Sequence, residues 1–451
     1  MVSGVRCTYH PAMRRLPGLF AVLVVAAAFS PTLGDPFLSD DASAVRMVSE
    51  RGAWQDFAGP QYGLSTARFY RPLLTLSLEA QLAVSGPEPF LWRLANLLFL
   101  LATVWLLYVW ATKLDLPPWA AAACALAFGL GAPAPGATAW VVGRSDGLMT
   151  LLAIGACLTA AATQKVRVAV ALAVAACLVK ETPTGLLLYF LWYLGTKPGW
   201  KVRGPRLAAA CLAGLMVVRR FALGSWTGGY AAGAALIPGW QHVEGVVAAL
   251  GNVLCPGMPW AGAVMLGLLC VWVALGRDRK IARLLVSAVC CCLPLLQLWP
   301  MGADPLHSRL YLLPSAFLCL SVGRLAAGLG RAGAARWALL GLWTASVCVQ
   351  GGGLGIADHM AAAEVVRNTD LEVRRRGVLV GSDGPPLLVD GVPGAVGSAY
   401  CFRWGLADRY ALSTPGLRPV WPLQRVFDFG ETWARAGATS PLVRWFDPGE
   451  G

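Results

Sequence analysis

Two adjacent carboxylates, Asp40 and Asp41, stand in "FLSDDASAV" just beyond the first strongly apolar segment. Acids there suit proton transfer: a positioned carboxylate draws a proton from a hydroxyl while a cation steadies the departing anion. Candidate cations recur along the chain. Arg71 lies in "RFYRPLLTLS", Arg144 in "AWVVGRSDGLM", Lys180 in "LVKETPTG" and Arg309 in "HSRLYLLPS". Arginine grips phosphate through two parallel hydrogen bonds and lysine acts as a point charge, so the set suits a phosphate-bearing substrate. Asp146, Glu181 and Tyr311 occupy the same stretches and are candidates to line the same substrate cavity.

Each motif also has a plainer reading. Asp40 and Asp41 suit the N-terminus of a helix beginning near Ala42, where aspartate caps the first amides and meets the helix dipole. Arg144 and Asp146 suit a solvated interfacial pair, and Arg219 and Arg220 suit snorkelling to headgroups. Lys180 and Glu181 interrupt an otherwise apolar stretch, and ionisable groups at membrane depth usually face a cavity or each other.

The elements that must carry these residues are membrane-crossing helices. The 451-residue chain is 57% hydrophobic and only 14% charged, with a mean hydropathy of +0.59, which excludes an ordinary soluble domain. Apolar runs fall at 16–33, 91–111, 119–137, 147–163, 168–179, 183–195, 207–224, 260–276, 282–299, 310–328 and 337–354. They predict an all-α polytopic membrane protein of about eleven spans. The two runs beside Lys180 and Glu181 are shorter than the ~20 residues of a full crossing, so they are expected to be tilted, extended or shielded by protein.

Lysine and arginine fill alternate loops, and the carboxylates fill the others. The positive-inside rule then puts the N-terminus in the cytoplasm and the acidic loops outside, in a multi-pass protein of the cell membrane. The first run also suits a signal peptide, and in either case the chain after Asp35 begins outside. Residues 1–355 read as the transmembrane domain and 356–451 as a small extracytoplasmic α/β segment, with a strand in "PPLLVDGVPG" bounded by turn formers. The net charge of +13 is mostly a topology signal, and with no aromatics interleaved in a basic stretch nucleic acid is not an expected partner. Most cysteines, including Cys290 to Cys292, read as small hydrophobes, while Cys255 and Cys401 are placed for a disulfide. The histidines His10, His242, His307 and His359 lack metal-ligand spacing, so a metal-free mechanism is expected.

In order, "LSDDASAV", "FYRPLLTLSLEAQLAVSGPEPFLWRLAN", "AWVVGRSDGL", "LVKETP" and "SRLYLLPS" resemble the motifs of GT-C integral-membrane glycosyltransferases. The likeness is to the protein O-mannosyltransferase branch that includes the transmembrane tetratricopeptide-repeat members and their shorter bacterial relatives. It covers most of residues 34–315, and "LLVDGVPGAVGSAYCFRWGL" is similar to a tail segment of the bacterial relatives. The resemblance implies an inverting, cofactor-free transfer of sugar from a polyprenyl-phosphate-linked donor to a protein or glycan hydroxyl acceptor, amid membrane lipids. It implies that Asp41 or Asp40 is the catalytic base and that Arg71 or a later arginine binds the donor phosphate. Two positions depart from the family pattern: Gly136 stands near an expected Glu, and Arg93 stands where a His commonly precedes Asn96 by three. A lipid-linked sugar transporter or flippase, and a non-catalytic GT-C descendant, are the alternatives; inverted repeats that would mark a transporter are absent from the sequence.

The alternating charge predicts Lys165, Lys201 and Arg279 inside and Asp41, Arg144 and Lys180 outside. Cysteine-accessibility labelling beside these positions checks it; labelling next to Lys201 and Arg144 from the same side overturns the topology.

Overall fold

Pro72, Pro89, Pro118, Pro133 and Pro259 are each the first residue of a helix, where the missing N–H is no loss and φ is already helical. The structure is a computed structural model. It describes residues 15–64, 67–163, 165–195, 203–226, 228–230, 239–276, 278–297, 305–329, 333–380, 387–389, 395–402, 409 and 420–422. The order begins with α1 (Leu16–Phe29), α2 (Asp41–Glu50), α3 (Gln55–Ala58), α4 (Pro72–Ser85) and α5 (Pro89–Lys113). Then come α6 (Pro118–Gly129), α7 (Pro133–Thr138), α8 (Arg144–Ala162), α9 (Val166–Val179), α10 (Thr184–Gly195) and α11 (Arg203–Leu223). The remainder holds α12 (Trp240–Leu254), α13 (Pro259–Ala274), α14 (Arg279–Cys292), α15 (Leu312–Gly328), α16 (Ala335–Ser346) and α17 (Leu354–Val380).

Strands are few and short. Among the described residues β1 (Ala67–Arg68) pairs antiparallel with β2 (Gly229–Tyr230), and β4 (Ala395–Val396) pairs antiparallel with β5 (Ala399–Tyr400). β3 (Leu387–Val389), inside the expected "PPLLVDGVPG" strand, runs parallel to β6 (Val420–Pro422).

Five described helical stretches are long and apolar enough to cross a membrane: Leu16–Gly34, Pro89–Lys113, Arg144–Ala162, Leu306–Gly328 and Ala335–Arg375. A sixth is counted if α12 and α13, bent by 92°, form one broken span. The eleven apolar runs therefore do not each become a full-length helix. α6, for example, has 12 residues and is about 18 Å long, against a hydrocarbon core of roughly 30 Å. Such helices are shielded by packing instead: α6 lies against α1, α5 and α15. α1 turns Leu16, Leu19, Phe20 and Leu23 outward at helical spacing, an exposed apolar stripe that water would penalise and lipid tails accept.

α15 is the most enclosed of the long stretches, 78% buried, with α14, α6 and α8 packed around it and Trp110 edge-on to Phe317. α16 continues through a π-helical segment, Val347–Gly353, into α17. The boundary between residues 355 and 356 falls inside that continuous helical run. The expected pairing of Cys255 with Cys401 is not formed, and both thiols are free. Cys401 is buried in a cluster of tail and loop residues, while Cys255 caps the end of α12.

Glycine sets the bend between α12 and α13. A Cβ on Gly262 would lie 1.9 Å from the Gly251 carbonyl oxygen, so the two backbones touch only because neither position carries a side chain. Gly262→Val is expected to force them apart at a cost of about 1–3 kcal/mol. Gly267→Ala, where nothing lies within 4 Å, should be neutral or slightly stabilising. Thermal unfolding of the two variants in detergent checks the pair.

Candidate functional site

One face of α5 holds two loops together. Arg93 and Asn96 are three residues apart and so point the same way. Arg93 donates to the carbonyls of Asp35 and Pro36 in the first loop, and through Nε to Ala139 in the second at 2.8 Å. Asn96 Nδ2 donates to the carbonyls of Trp140 and Val141, each at 3.1 Å. Arg93, at the position where the resembled family carries His, is thus a clamp between "DPFLSDD" and "TAWVVG". Both side chains are buried.

Asp41 closes the same junction. Its Oδ2 accepts the Leu38 amide at 2.9 Å and its Oδ1 accepts the Val142 amide at 3.0 Å, so both oxygens are spent on backbone from the two loops. Asp40 is different. It precedes α2 without a capping hydrogen bond, and its Oδ1 is buried with no partner at bonding distance. Burial first, then the neighbouring Asp41 charge, push the Asp40 carboxyl up to about 7, against the pull of Arg309, its own backbone amide and the nearby Trp140 side chain. Burial also raises Asp41, to about 6, with Arg93 and the backbone amides holding it down.

The cations fall into two kinds. Arg144 is 1% exposed and makes four hydrogen bonds to neutral acceptors: Asn96 Oδ1 at 2.9 Å, Gln81 Oε1 at 2.8 Å, and the Trp92 and Ser77 carbonyls at 3.2 and 3.3 Å. That geometry makes it a structural node rather than the phosphate ligand the sequence suggested. Arg71, Lys180 and Arg309 instead face carboxylates. Arg71 grips Glu181 with Nε and Nη2, the shortest contact being 2.8 Å. Lys180 Nζ lies 2.5 Å from Asp146 Oδ1, and Arg309 Nε lies 3.7 Å from Asp146 Oδ2. Lys180 is near enough to feel both Arg71 and Arg309, and Arg309 acts also on Asp40. Asp146 thus faces Lys180 and Arg309, and Glu181 faces Arg71 with Arg219 nearby. Tyr311, expected in the cavity, is 2% exposed and packed in the apolar core.

Arg309 is also held by rings. Its guanidinium stacks 4.0 Å from the Trp140 ring and lies 5.6 Å from Tyr400, whose ring is 5.2 Å from that of Trp140. Gly136 makes room for the arginine stem: a Cβ there would meet Arg309 Cβ at 3.3 Å. The C-terminal segment reaches the first loop at several points. Ser39 N–H donates to the Cys401 carbonyl at 2.6 Å, Arg409 to the Phe37 carbonyl at 2.5 Å, and Arg367 to Asp35 at 2.5 Å. Leu38, Trp140, Val366, Tyr400 and Phe402 share one buried apolar cluster.

Reading the sequence by motif passed over Trp140, Tyr400 and Tyr62. Tyr62 adopts φ 56°, an uncommon conformation for a side-chain-bearing residue, with its N–H on Asp56 Oδ2 at 3.0 Å. Burial raises its phenol, and Asp40 and Asp56 nearby raise it further. The adjacent Gly63 in "PQYGL" was the available turn signal. Among the described residues no group of three or more His, Cys, Asp or Glu side chains is arranged to hold a metal.

Comparison of the chain with protein-family models, curated proteins and solved structures finds no match.

Arg144→Lys keeps the charge but cannot reach acceptors arrayed around a planar fork. It is expected to cost about 1–3 kcal/mol, since buried acceptors lose their donors. Denaturant unfolding in detergent measures this; an unchanged midpoint would show that the node is dispensable.

Proposed function

We infer that the chain is an inverting glycosyltransferase of GT-C architecture, moving a sugar from a polyprenyl-phosphate carrier to a hydroxyl acceptor outside the cell membrane. The observation that carries this reading is the buried, unpartnered Asp40 Oδ1 beside a group of cations that face carboxylates. A base with a raised pKa and a ready anion-binding surface are the two things such a transfer requires.

In the proposed step Asp40 takes the proton from the acceptor hydroxyl. The acceptor oxygen bonds to the anomeric carbon from one side, and the bond to the phosphate oxygen breaks on the other, inverting the configuration. The electron pair leaves with the lipid phosphate. Arg71, Arg309 and Lys180 meet that anion, with Glu181 and Asp146 holding the cations ready in its absence. Arg71 and Arg309 retain some exposure, 15% and 17% of their side chains, which suits groups that exchange a carboxylate for a phosphate. Asp41 positions the base by tying its loop to the second loop. On this reading the pairs lie at the outer face, and the described residues of α17 and the β4–β5 hairpin lie on the acceptor side.

A non-catalytic GT-C descendant is the second reading, favoured by the internal pairing of Arg71 with Glu181 and Lys180 with Asp146. Turnover separates the two. With a panel of radiolabelled polyprenyl-phosphate sugars, Asp40→Asn should lower transfer by about 100-fold or more while leaving donor binding intact. Arg71→Lys should weaken donor binding, since a point charge lacks the two-pronged grip.

The pH profile gives a separate check. Asp40 must be ionised to accept a proton, and its carboxyl is pushed up to about 7. Below that pH the base protonates, so kcat/KM should fall roughly tenfold per unit as pH drops, with a plateau above. A rate flat from pH 5 to 8 would remove Asp40 from the role.

A further inference from the structure

A second cluster of cations lies at the opposite end of the bundle, outside the chemistry proposed above. Lys113 ends α5, twenty residues beyond Arg93, which at 1.5 Å per residue is about 30 Å along the helix. Beside it α14 begins, carrying Lys280 and Arg283 in its first two turns. Between α5, α8, α10 and α14 opens a cavity of about 180 Å³ lined by these three cations together with Tyr189, Tyr193 and Ser287.

The charge at its rim is only partly compensated. Lys280 is paired with Asp115, but neither Lys113 nor Arg283 has an acidic partner among the described residues. Arg283 instead rests 5.7 Å from the centre of the Tyr193 ring, which in turn stacks on Tyr189 with centroids 5.4 Å apart. The deeper wall is apolar, with Trp110, Phe190 and Leu284 facing the space. Three cations around an opening with an apolar and aromatic interior make an amphipathic receptor: the rim suits a phosphate, the interior suits hydrocarbon or a glycerol backbone. Basic pockets between membrane helices recognise anionic headgroups in this way. The basic-loop reading of the sequence assigns this end to the cytoplasmic leaflet, where anionic lipids gather.

We propose that this cavity is a binding site for the phosphate headgroup of an anionic phospholipid, separate from the Asp40 site and some 30 Å from it along α5. The phosphate lies between Arg283 and Lys113, and the first part of the lipid enters toward Tyr189. The site is independent of the transfer reaction and stands whether or not the chain is an enzyme.

The test uses the full chain, purified in a non-ionic detergent, delipidated, and followed by native mass spectrometry as phosphatidylglycerol, phosphatidylcholine or soluble glycerol 3-phosphate is added. Phosphatidylglycerol is expected to bind at least tenfold more tightly than phosphatidylcholine, and Lys113→Gln/Arg283→Gln to lose that preference. Lys113→Gln alone changes only an exposed helix-end side chain, so folding is spared, and it should weaken phosphatidylglycerol several-fold. Arg375→Gln, an exposed cation outside both sites, should leave the preference intact. The proposal falls if the double variant keeps the preference, if Arg375→Gln abolishes it, or if the two phospholipids bind alike. If glycerol 3-phosphate binds as tightly as the lipid through the same two residues, the cavity recognises free phosphate and the lipid assignment is wrong.

Discussion

Charge taken out of water inside an apolar bundle must be met by opposite charge or by hydrogen-bond partners, and that constraint arranges the loop junction around Arg93 and Asp41. Arg93 meets it with three backbone carbonyls, Arg144 with two side-chain amide oxygens and two carbonyls, and Asp41 with two amides. Each of these joins segments far apart in sequence. Satisfying a buried ion therefore also builds the loop junction, and the desolvation penalty that makes these groups costly makes the junction specific. The pairs Arg71–Glu181 and Lys180–Asp146 obey the same rule, but charge against charge.

Asp40 is the group that the arrangement leaves short. One buried carboxylate oxygen has no partner, next to a residue whose own two oxygens are both engaged. Burial raises both adjacent acids, but they differ in their bonds: Asp41 has both oxygens on backbone amides, while Asp40 also feels its neighbour's charge and is raised somewhat further.

The C-terminal segment belongs to this junction as much as to the helices it follows. Arg367 and Arg409 hold the first loop, Ser39 bonds to the Cys401 carbonyl, and Tyr400 completes the aromatic surround of Arg309 with Trp140. Ion pairs occur at both ends of α5: Arg71 and Lys180 meet Glu181 and Asp146 at one, Lys280 and Arg324 meet Asp115 and Asp278 at the other, where Lys113 and Arg283 line a cavity.

Composition and hydropathy alone determine that this is a helical chain suited to a membrane, because burying apolar surface in lipid requires long stretches with internally paired backbone. Spacing also marked most of the charged residues that gather at one end, since an ion interrupting an apolar run is costly wherever it lands. What each ion does was beyond the sequence. Arg71 and Arg144 look alike as arginines beside apolar helices, yet one meets a carboxylate and the other only neutral acceptors, a difference made by Glu181, Asn96 and Gln81 arriving from elsewhere. The choice between Asp40 and Asp41 likewise rests on the Val142 amide, about a hundred residues away. Hydropathy runs register apolar character and not helix length, so which runs become long helices, and which shorter ones such as α6 are sheltered by neighbours, is decided by tertiary packing. Tyr400 and Cys401 reach the loop by the path of α17 and the β4–β5 hairpin, a long-range contact with no local signature, so only the folded chain could decide it.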